Sequence, residues 1–418
     1  MTQTTQKIPY GWIKTKLGKI CKNKGQYGAN APSVPYSPNL PSYIRITDID
    51  DDGKYIFSNR VSVNISDYKN YLLEKGDIVF ARTGATTGKT YLYNENDGQF
   101  VFAGFLIKFS PNTNLINPYY LKLSTEIPFY KSWIKVMSVR SGQPGVNAEE
   151  YAKYPLLLPP LAEQEKIAEI LGAWDSAIEK LTALIAAKRL QKKGLMQKLL
   201  TAQIRLPGFT GEWQKQKLGC LFSFHRSLSA SRAQLGEIGI PYLHYGDIHK
   251  TGKTSFNPET DELPKLDYRE NAEKYLLKNG DVVFVDASED RKDASRFCVI
   301  KNKNNVPFLA GLHTVVARPK SDELNVDFSE FLFQSNDFRK QVSILANGMK
   351  IFGVSKDILS NIVIRYPQNI VEQKAIADIL SKADEEIDLL TLKLDLLQSQ
   401  KKGLMQQLLT GKIRVKVA

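Results

Sequence analysis

In two stretches of this chain the apolar positions step by alternating three and four residues. One runs Leu171, Trp174, Ile178, Leu181, Ile185, Leu195 and Leu199, with Lys188 and Lys192 filling two places in the same register. The other runs Leu380, Ala383, Ile387, Leu390, Leu394, Leu397, Leu404 and Leu408, with Lys401 in the remaining place. That spacing is the seam of a coiled coil. No proline interrupts Leu161 to Leu206, so about 38 helical residues at 1.5 Å each predict a rod of about 57 Å. Such a helix is too long for a single-domain core and suits a spacer. Each seam can bury itself against the other. Because the segment between them must fold back compactly, an antiparallel pair is the simpler arrangement.

The two stretches are also one sequence written twice. Glu163 to Arg205 returns, 209 residues on, as Glu372 to Arg414; 22 of 43 positions agree, including the unbroken block Gln191 to Gln197 against Gln400 to Gln406. A repeat of this length present only twice indicates a duplicated half-molecule of roughly 200 residues rather than a solenoid. Fainter anchors extend it. Trp12, Leu17 and Gly18 match Trp213, Leu218 and Gly219; Tyr43 and Asp48 match Tyr242 and Asp247; YLLEKGDIVF (Tyr71 to Phe80) matches YLLKNGDVVF (Tyr275 to Phe284); Ala103 and Gly104 match Ala310 and Gly311, and Gly145 and Val146 match Gly353 and Val354. Between anchors the side chains drift, most visibly where ARTGATTGKT (Ala81 to Thr90) stands opposite VDASEDRKDA (Val285 to Ala294). A segment kept alike suggests one kind of partner met twice. A segment that has drifted suggests two different things being read.

The regions before the helices alternate short strands (Tyr43 to Ile49, Asp77 to Ala81, Phe100 to Phe109; Pro241 to Ile248, Asp281 to Val285, His313 to Ala317) with helices near Tyr119 to Ile134 and Phe328 to Leu345, which predicts two compact α+β domains. Pro159, Pro160 and Pro367 stop the strands that lead into the long helices, and Glu163, Glu165, Glu169 and Glu372 suit the positive end of a helix dipole. The turn formers of RLPGFTGEW (Arg205 to Trp213) mark a boundary. The divisions are 1–160, a first domain; 161–208, a first spacer helix; 209–370, a second domain; and 371–418, a second spacer helix.

Composition narrows the class. With 418 residues and 42% apolar content the chain can bury more than one core. No apolar run is long enough for a membrane span, and MTQTTQKIPYGW lacks the core of a signal peptide, so a soluble, cytoplasmic protein is expected. Cys21, Cys220 and Cys298 are odd in number and far apart, which indicates ordinary thiols. A formal charge of +13 invites a polyanion. The surplus is uneven: 1–160 carry +7, and 161–208, 209–370 and 371–418 carry +3, +2 and +1. If nucleic acid binds, the first domain leans more on phosphate contacts and the second more on shape or base edges. A merely solubilising charge stays open.

A variable region, a long helix opening with L-P-P-L-x-E-Q-x-x-I-A (Leu158 to Ala168) and closing with K-K-G-L-M-Q-x-L-L-T (Lys192 to Thr201, again Lys401 to Thr410), then the same two units once more, resembles the specificity subunit of type I restriction-modification enzymes, the HsdS family. The resemblance spans the whole chain. It implies two target-recognition domains, each reading half of a split double-stranded DNA site, and two helices that act as a ruler and dock two modification subunits. It also implies no catalysis and no cofactor on this chain: adenine methylation, S-adenosylmethionine, ATP and Mg belong to the modification and restriction subunits. The second helix starts from IRYPQNIVEQ and lacks the double proline of the first.

Catalytic look-alikes are weaker. GATTGKT (Gly84 to Thr90) has three residues between its glycines where a phosphate-binding P-loop needs four, so a strand-end loop facing DNA competes with nucleotide binding. NPYY (Asn117 to Tyr120) lacks the second proline of the adenine methyltransferase loop and also reads as a helix start with Pro118 in its first turn. His225, His244, His249 and His313 lack metalloenzyme spacing, which leaves core or DNA-facing roles ahead of zinc. The run Asp48 to Asp52 beside Gly53 reads as an exposed hairpin turn rather than a cation site.

The candidate DNA contacts follow the shared strands, where fold is fixed and side chains are not. In the first domain they are Arg82, Thr83, Thr86, Thr87 and Lys89, with Arg140, Ser141 and Gln143 of SVRSGQPGV; in the second, Ser288, Arg291, Lys292 and Arg296, with His244, Asn347 and Lys350. Glycines there let backbone approach phosphate, and Arg or Gln can address base edges in pairs of hydrogen bonds. Two further classes fit the sequence: a scaffold whose coiled coil only gathers partners, and a basic module that binds DNA without preference. Gel shifts on random duplexes, with and without a modification subunit, separate them.

Overall fold

The computed structural model describes residues 8–140, 142–267, 272–288, 296–345 and 352–417. Its contacts divide into two compact units. The first takes in the described residues up to Thr182 together with those from Leu392 onward; the second is Ala183–Thr391. Each unit therefore combines one globular α+β domain with the first part of one long helix and the last part of the other. The long helices themselves are Leu161–Leu199 and Ile370–Leu408, 39 residues each.

In the first unit, strands Gln26–Tyr27, Leu106–Phe109, Ile78–Ala81 and Thr90–Leu92 form an antiparallel sheet in that order. Ser33–Pro35, Val61–Val63, Ser42–Ile44 and Phe100–Phe102 form a second sheet whose last pair is parallel. Strand Ile13–Lys16 pairs antiparallel with Pro155–Leu158, the strand leading to the long helix. The second unit follows the same plan. Phe222–Arg226, Thr314–Pro319, Val282–Val285, Phe297–Ile300 and Ser255–Phe256 make one sheet; Leu235–Gly236, Lys265–Leu266, Ile240–Leu243 and Leu309–Ala310 make another; and Trp213–Lys217 pairs with Val363–Pro367.

Two expected strands end early. After Ser42–Ile44 the chain turns through a 3₁₀ segment, Ile46–Asp48, and after Ile240–Leu243 it enters a helix, Tyr245–Thr251. The reason is the matched aspartate of each copy. Asp48 accepts from Arg45 N at 2.9 Å and is ion-paired to the Arg45 guanidinium, while Asp247 accepts from His244 N at 3.2 Å. A side chain that takes the backbone N–H three residues back closes a turn and stops the strand. Asp48 is fully buried, so the acidic run is exposed only beyond it, where Gly53 turns the chain at φ +73°. The expected strand Phe100 to Phe109 is likewise two strands, broken at Ala103–Phe105.

Every apolar seam position is buried or half-buried, none exposed. Among the described residues the repeat closes on itself in both units. In the first, Asp175 pairs with Lys401 at 2.6 Å and Glu163 with Arg414 at 2.6 and 2.7 Å. In the second, Asp384 pairs with Lys192, Lys188 with Glu386 at 2.6 Å, and Glu372 with Arg205 at 2.7 and 2.8 Å. In each unit one helix segment advances as the other recedes, so the segments run antiparallel. The lysines that replace seam knobs are therefore neutralised across the seam. Trp12 and Trp213, matched anchors, donate their indole N–H to Glu163 and Glu372. Gln164 and Gln373 do the same service twice over. Each accepts the backbone N–H of the residue that caps a domain helix, Asn117 or Asn325, and donates to Pro159 or Pro367 O. A large part of the repeated identity is thus internal carpentry.

Candidate nucleic-acid interface

In the first domain the fold brings the two predicted loops into one surface. Strand Ile78–Ala81 ends at Arg82, whose N–H donates to Phe105 O at 3.0 Å and whose carbonyl accepts from Val146 N at 2.9 Å. Thr83 bridges Gly145, and Gly84 N donates to Pro144 O at 3.0 Å. Gly84 stands at φ +73° with Gln143 so close that a Cβ would lie 2.9 Å from its amide nitrogen. The Arg82 guanidinium lies 4.9 Å over the ring of Tyr27. Arg82, Thr83 and Gln143 thus share one patch with two exposed aromatics, Tyr27 and Phe105. Stacking aromatics beside a planar donor suit nucleic acid. Sequence reading missed both rings, because nothing in their local pattern reveals that distant loops set them beside Arg82.

Other candidates are spoken for. Thr86 and Thr87 turn their hydroxyls onto Thr83 O and Gly84 O, at 3.3 and 2.7 Å, and the backbone N–H groups of Thr87, Gly88 and Lys89 donate within the loop or to Ala81 O. A P-loop needs those amides turned outward to a phosphate, so this segment is a strand-end turn. Lys89 pairs with exposed Asp51 at 2.7 Å and donates to Ile49 O. Arg140 grips Glu150 with two 2.6 Å bonds and caps the end of helix Pro128–Met137 through Met137 O and Val139 O. Reading a base would require it to leave that grip. Ser141 lies outside the described residues. Asn117 caps helix Pro118–Ser124 by accepting from Tyr119 N and Tyr120 N, which is the helix-start reading of NPYY.

The second domain repeats the frame with other side chains. Asp286 N donates to His313 O at 3.0 Å and Val354 N to Asp286 O at 2.8 Å. These are the same two backbone bonds that hold Arg82. Ser288 sits on the short strand pair with Phe352, and Arg296 is a half-buried residue whose carbonyl accepts from Val285 N. Arg291, Lys292, Asn347 and Lys350 lie outside the described residues. His244, expected to face DNA, is buried instead. It is 5% exposed, and its Nδ1 accepts from Gly246 N at 3.1 Å as the cap of helix Tyr245–Thr251. Burial, and then the nearby Arg232 charge, hold its pKa below the usual imidazole value, consistent with a neutral acceptor. The structure makes it a positioning residue. Around Tyr245 gather His244, His249 and His313, with ring centroids at 4.4, 6.2 and 5.3 Å.

Among the described residues no helix is long and apolar enough to cross a membrane, and no group of three or more metal-ligating side chains is assembled. Burial, with the Asp77 charge adding to it, pushes the Cys21 thiol up to about 12 and so keeps it protonated.

A duplicated α+β domain, each copy carrying a drifted loop surface on a constant frame and each followed by a long helix, defines a protein of two like domains with unlike loop surfaces. The family model for the type I restriction modification DNA specificity domain matches residues 9–189 and again 210–399, and the chain belongs to that family. It is 25% identical over 422 residues to the type I restriction enzyme MjaVIII specificity subunit of Methanocaldococcus jannaschii, covering 98% of this chain and 95% of that one. The fold is shared with the type I restriction-modification system S subunit from M. genitalium, at TM-score 0.59 and 14% identity over 98% of both chains. It is shared too with a structure of the type I R-M system solved to explain complex assembly and conformational transition, at TM-score 0.58 and 16% identity over 97% of this chain and all of that one.

Proposed function

We propose that this chain is the DNA specificity subunit of a type I restriction-modification complex, with each recognition domain reading one half of a bipartite, asymmetric site. The observation that carries the reading is the drift at fold-equivalent positions. Identical backbone bonds present Arg82 and Phe105 in one domain and Asp286 and His313 in the other, which is what two readers of different half-sites need. The +7 of residues 1–160 supports heavier phosphate contact in the first half-site.

The chain itself is non-catalytic in this reading. Two modification subunits, joined by restriction subunits where cleavage occurs, bring S-adenosylmethionine, ATP and Mg, and the complex works on DNA in the cytoplasm. The helices set the half-site spacing and dock the modification subunits. Docking is supported by Gly194 and Gly403, equivalent residues inside the long helices. Neither has positive φ, and a Cβ on either would meet nothing within 4 Å. A helical glycine costs about 1 kcal/mol against alanine, and nothing among the described residues packs against either one to explain keeping it in both copies. An open groove of about 600 Å³ beside Gly194 is lined by Ala187, Leu190, Leu195, Leu199, Ile204 and Ile379.

Co-expression with the modification subunit, followed by mapping of methylated adenines along plasmid DNA, tests the reading. A split motif with two different halves is expected. Methylation without a motif, or a single undivided motif, sinks it and favours the non-specific module; absence of any complex with DNA favours the scaffold.

A further inference from the structure

One of the drifted frame positions of the second domain takes an uncommon backbone conformation. His313 sits in the left-handed region at φ +57°, one of three non-glycine residues with positive φ among those described. A bulky residue keeps that backbone only where its surroundings over-determine it. Here they do: Asp286 N donates to His313 O at 3.0 Å, Leu312 N donates to the Tyr242 hydroxyl at 2.8 Å, and Thr314 Oγ1 donates to Gly311 O at 2.6 Å. The imidazole so presented is 51% exposed and meets Tyr245 edge-on at 5.3 Å. Its Nδ1 stands 3.4 Å from Asp286 Oδ1. That oxygen is shielded from solvent and makes no hydrogen bond. A strained, half-exposed imidazole beside an unsatisfied buried carboxylate oxygen is a costly arrangement for a surface with no ligand.

Resting on the reading of the chain as a DNA specificity subunit, we propose that His313, oriented by Asp286, is a specificity-determining contact through which the second domain reads one base edge of its half-site. The Asp286 carboxylate beside Nδ1 holds one edge of the ring toward the domain, and an imidazole so placed can address a base edge in the major groove by hydrogen bonding. Tyr245 steadies the ring. The corresponding pair in the first domain, Arg82 over Tyr27 with Phe105 alongside, is a donor with a stacking surface. The two domains thus offer different side-chain chemistry from the same two backbone positions.

The test uses the full chain co-expressed with its modification subunit and the map of methylated adenines. His313→Gly removes the imidazole and relaxes the left-handed backbone, so the melting temperature of the purified chain should hold or rise. The motif should nevertheless degenerate by about tenfold or more at one base pair in one half. Asp286→Asn should loosen the same base pair to a lesser degree, and Arg82→Ala should act on the other half. An unchanged motif in His313→Gly, a uniform loss of methylation at every position, or a fall in melting temperature that accounts for the loss each overturns the inference. A parent protein that yields no bipartite motif defeats the specificity-subunit reading instead, so the two failures are distinguishable.

Discussion

Arg205→Met breaks one of the ion pairs that the repeat builds twice, together with the 2.8 Å bond from Arg205 Nη1 to Gly211 O. Glu372 is 2% exposed and holds Arg205 through two bonds of 2.7 and 2.8 Å; its remaining donor is the Trp213 indole N–H at 3.4 Å. Methionine keeps the packing stem and removes the donors. Breaking a buried pair from one side costs about 3–5 kcal/mol, because a desolvated charge is stranded. Two features reduce this. The Arg205 side chain is 26% exposed, so part of its attraction is already screened by solvent. Glu372 also lies in the first turn of the helix Ile370–Leu408, where the helix dipole supports an anion by up to about 1 kcal/mol. The expected cost is about 2–3 kcal/mol, or a drop of roughly 5–10 °C for a unit of this size. Urea and thermal unfolding of Arg205→Met, Glu372→Gln and the double variant close a mutant cycle, and the double variant should recover more than half the loss, since a buried amide carries no stranded charge. A cost below about 0.5 kcal/mol, or the same cost when position 372 is already Gln, would refute the reasoning.

Gly194→Ala and Gly403→Ala should each stabilise the isolated chain by about 0.5–1 kcal/mol while weakening capture of the modification subunit; calorimetry and native mass spectrometry read the opposite signs, and a loss of stability would mean the glycines serve the fold. Deleting one heptad from each helix, Lys180 to Ala186 and Leu389 to Asp395, removes about 10 Å of rise, close to three base pairs. The methylation map should keep both half-sites and shorten the gap between them. His244 is held neutral by burial, so its pKa lies below the ordinary 6.5. The unfolded chain then binds the extra proton first, and the second unit should lose stability as pH falls below about 6.5. His244→Asn keeps the cap and should flatten that slope in pH-dependent denaturation.

The seam and the duplication were legible because they rest on period and identity, which survive in one dimension, and the class of protein because the phrases at Leu158 to Ala168, Lys192 to Thr201 and Lys401 to Thr410 resemble a known family. The apolar three-four spacing from Leu171 to Leu199 and from Leu380 to Leu408 needs no partner to be recognised as helical. The candidate contacts were legible only in part. Arg82 and Gln143 lie some sixty residues apart in sequence, and the Thr83–Gly145 bridge that joins their loops is a long-range backbone event with no local signature. The same is true of Tyr27 under Arg82 and of His313 beside Asp286.

The sequence could not say which repeated residues serve the fold and which face outward. Asp175 and Arg205, with their counterparts Asp384 and Arg414, carry nothing in the sequence that names a partner, and the seam lysines Lys192 and Lys401 and the helix-start glutamates Glu163 and Glu372 do not announce theirs. Only the antiparallel packing inside each unit turns them into cross-seam pairs, because a charge finds its partner by distance in space. His244 changed from contact to helix cap for the same reason: Nδ1 meets Gly246 N only once the turn at Asp247 has formed. Sequence alone determined that the chain is built twice, with loops that have drifted apart; tertiary structure decided which loop side chains are tied into the fold and which stay exposed, because hydrogen bonds and ion pairs form by proximity in space.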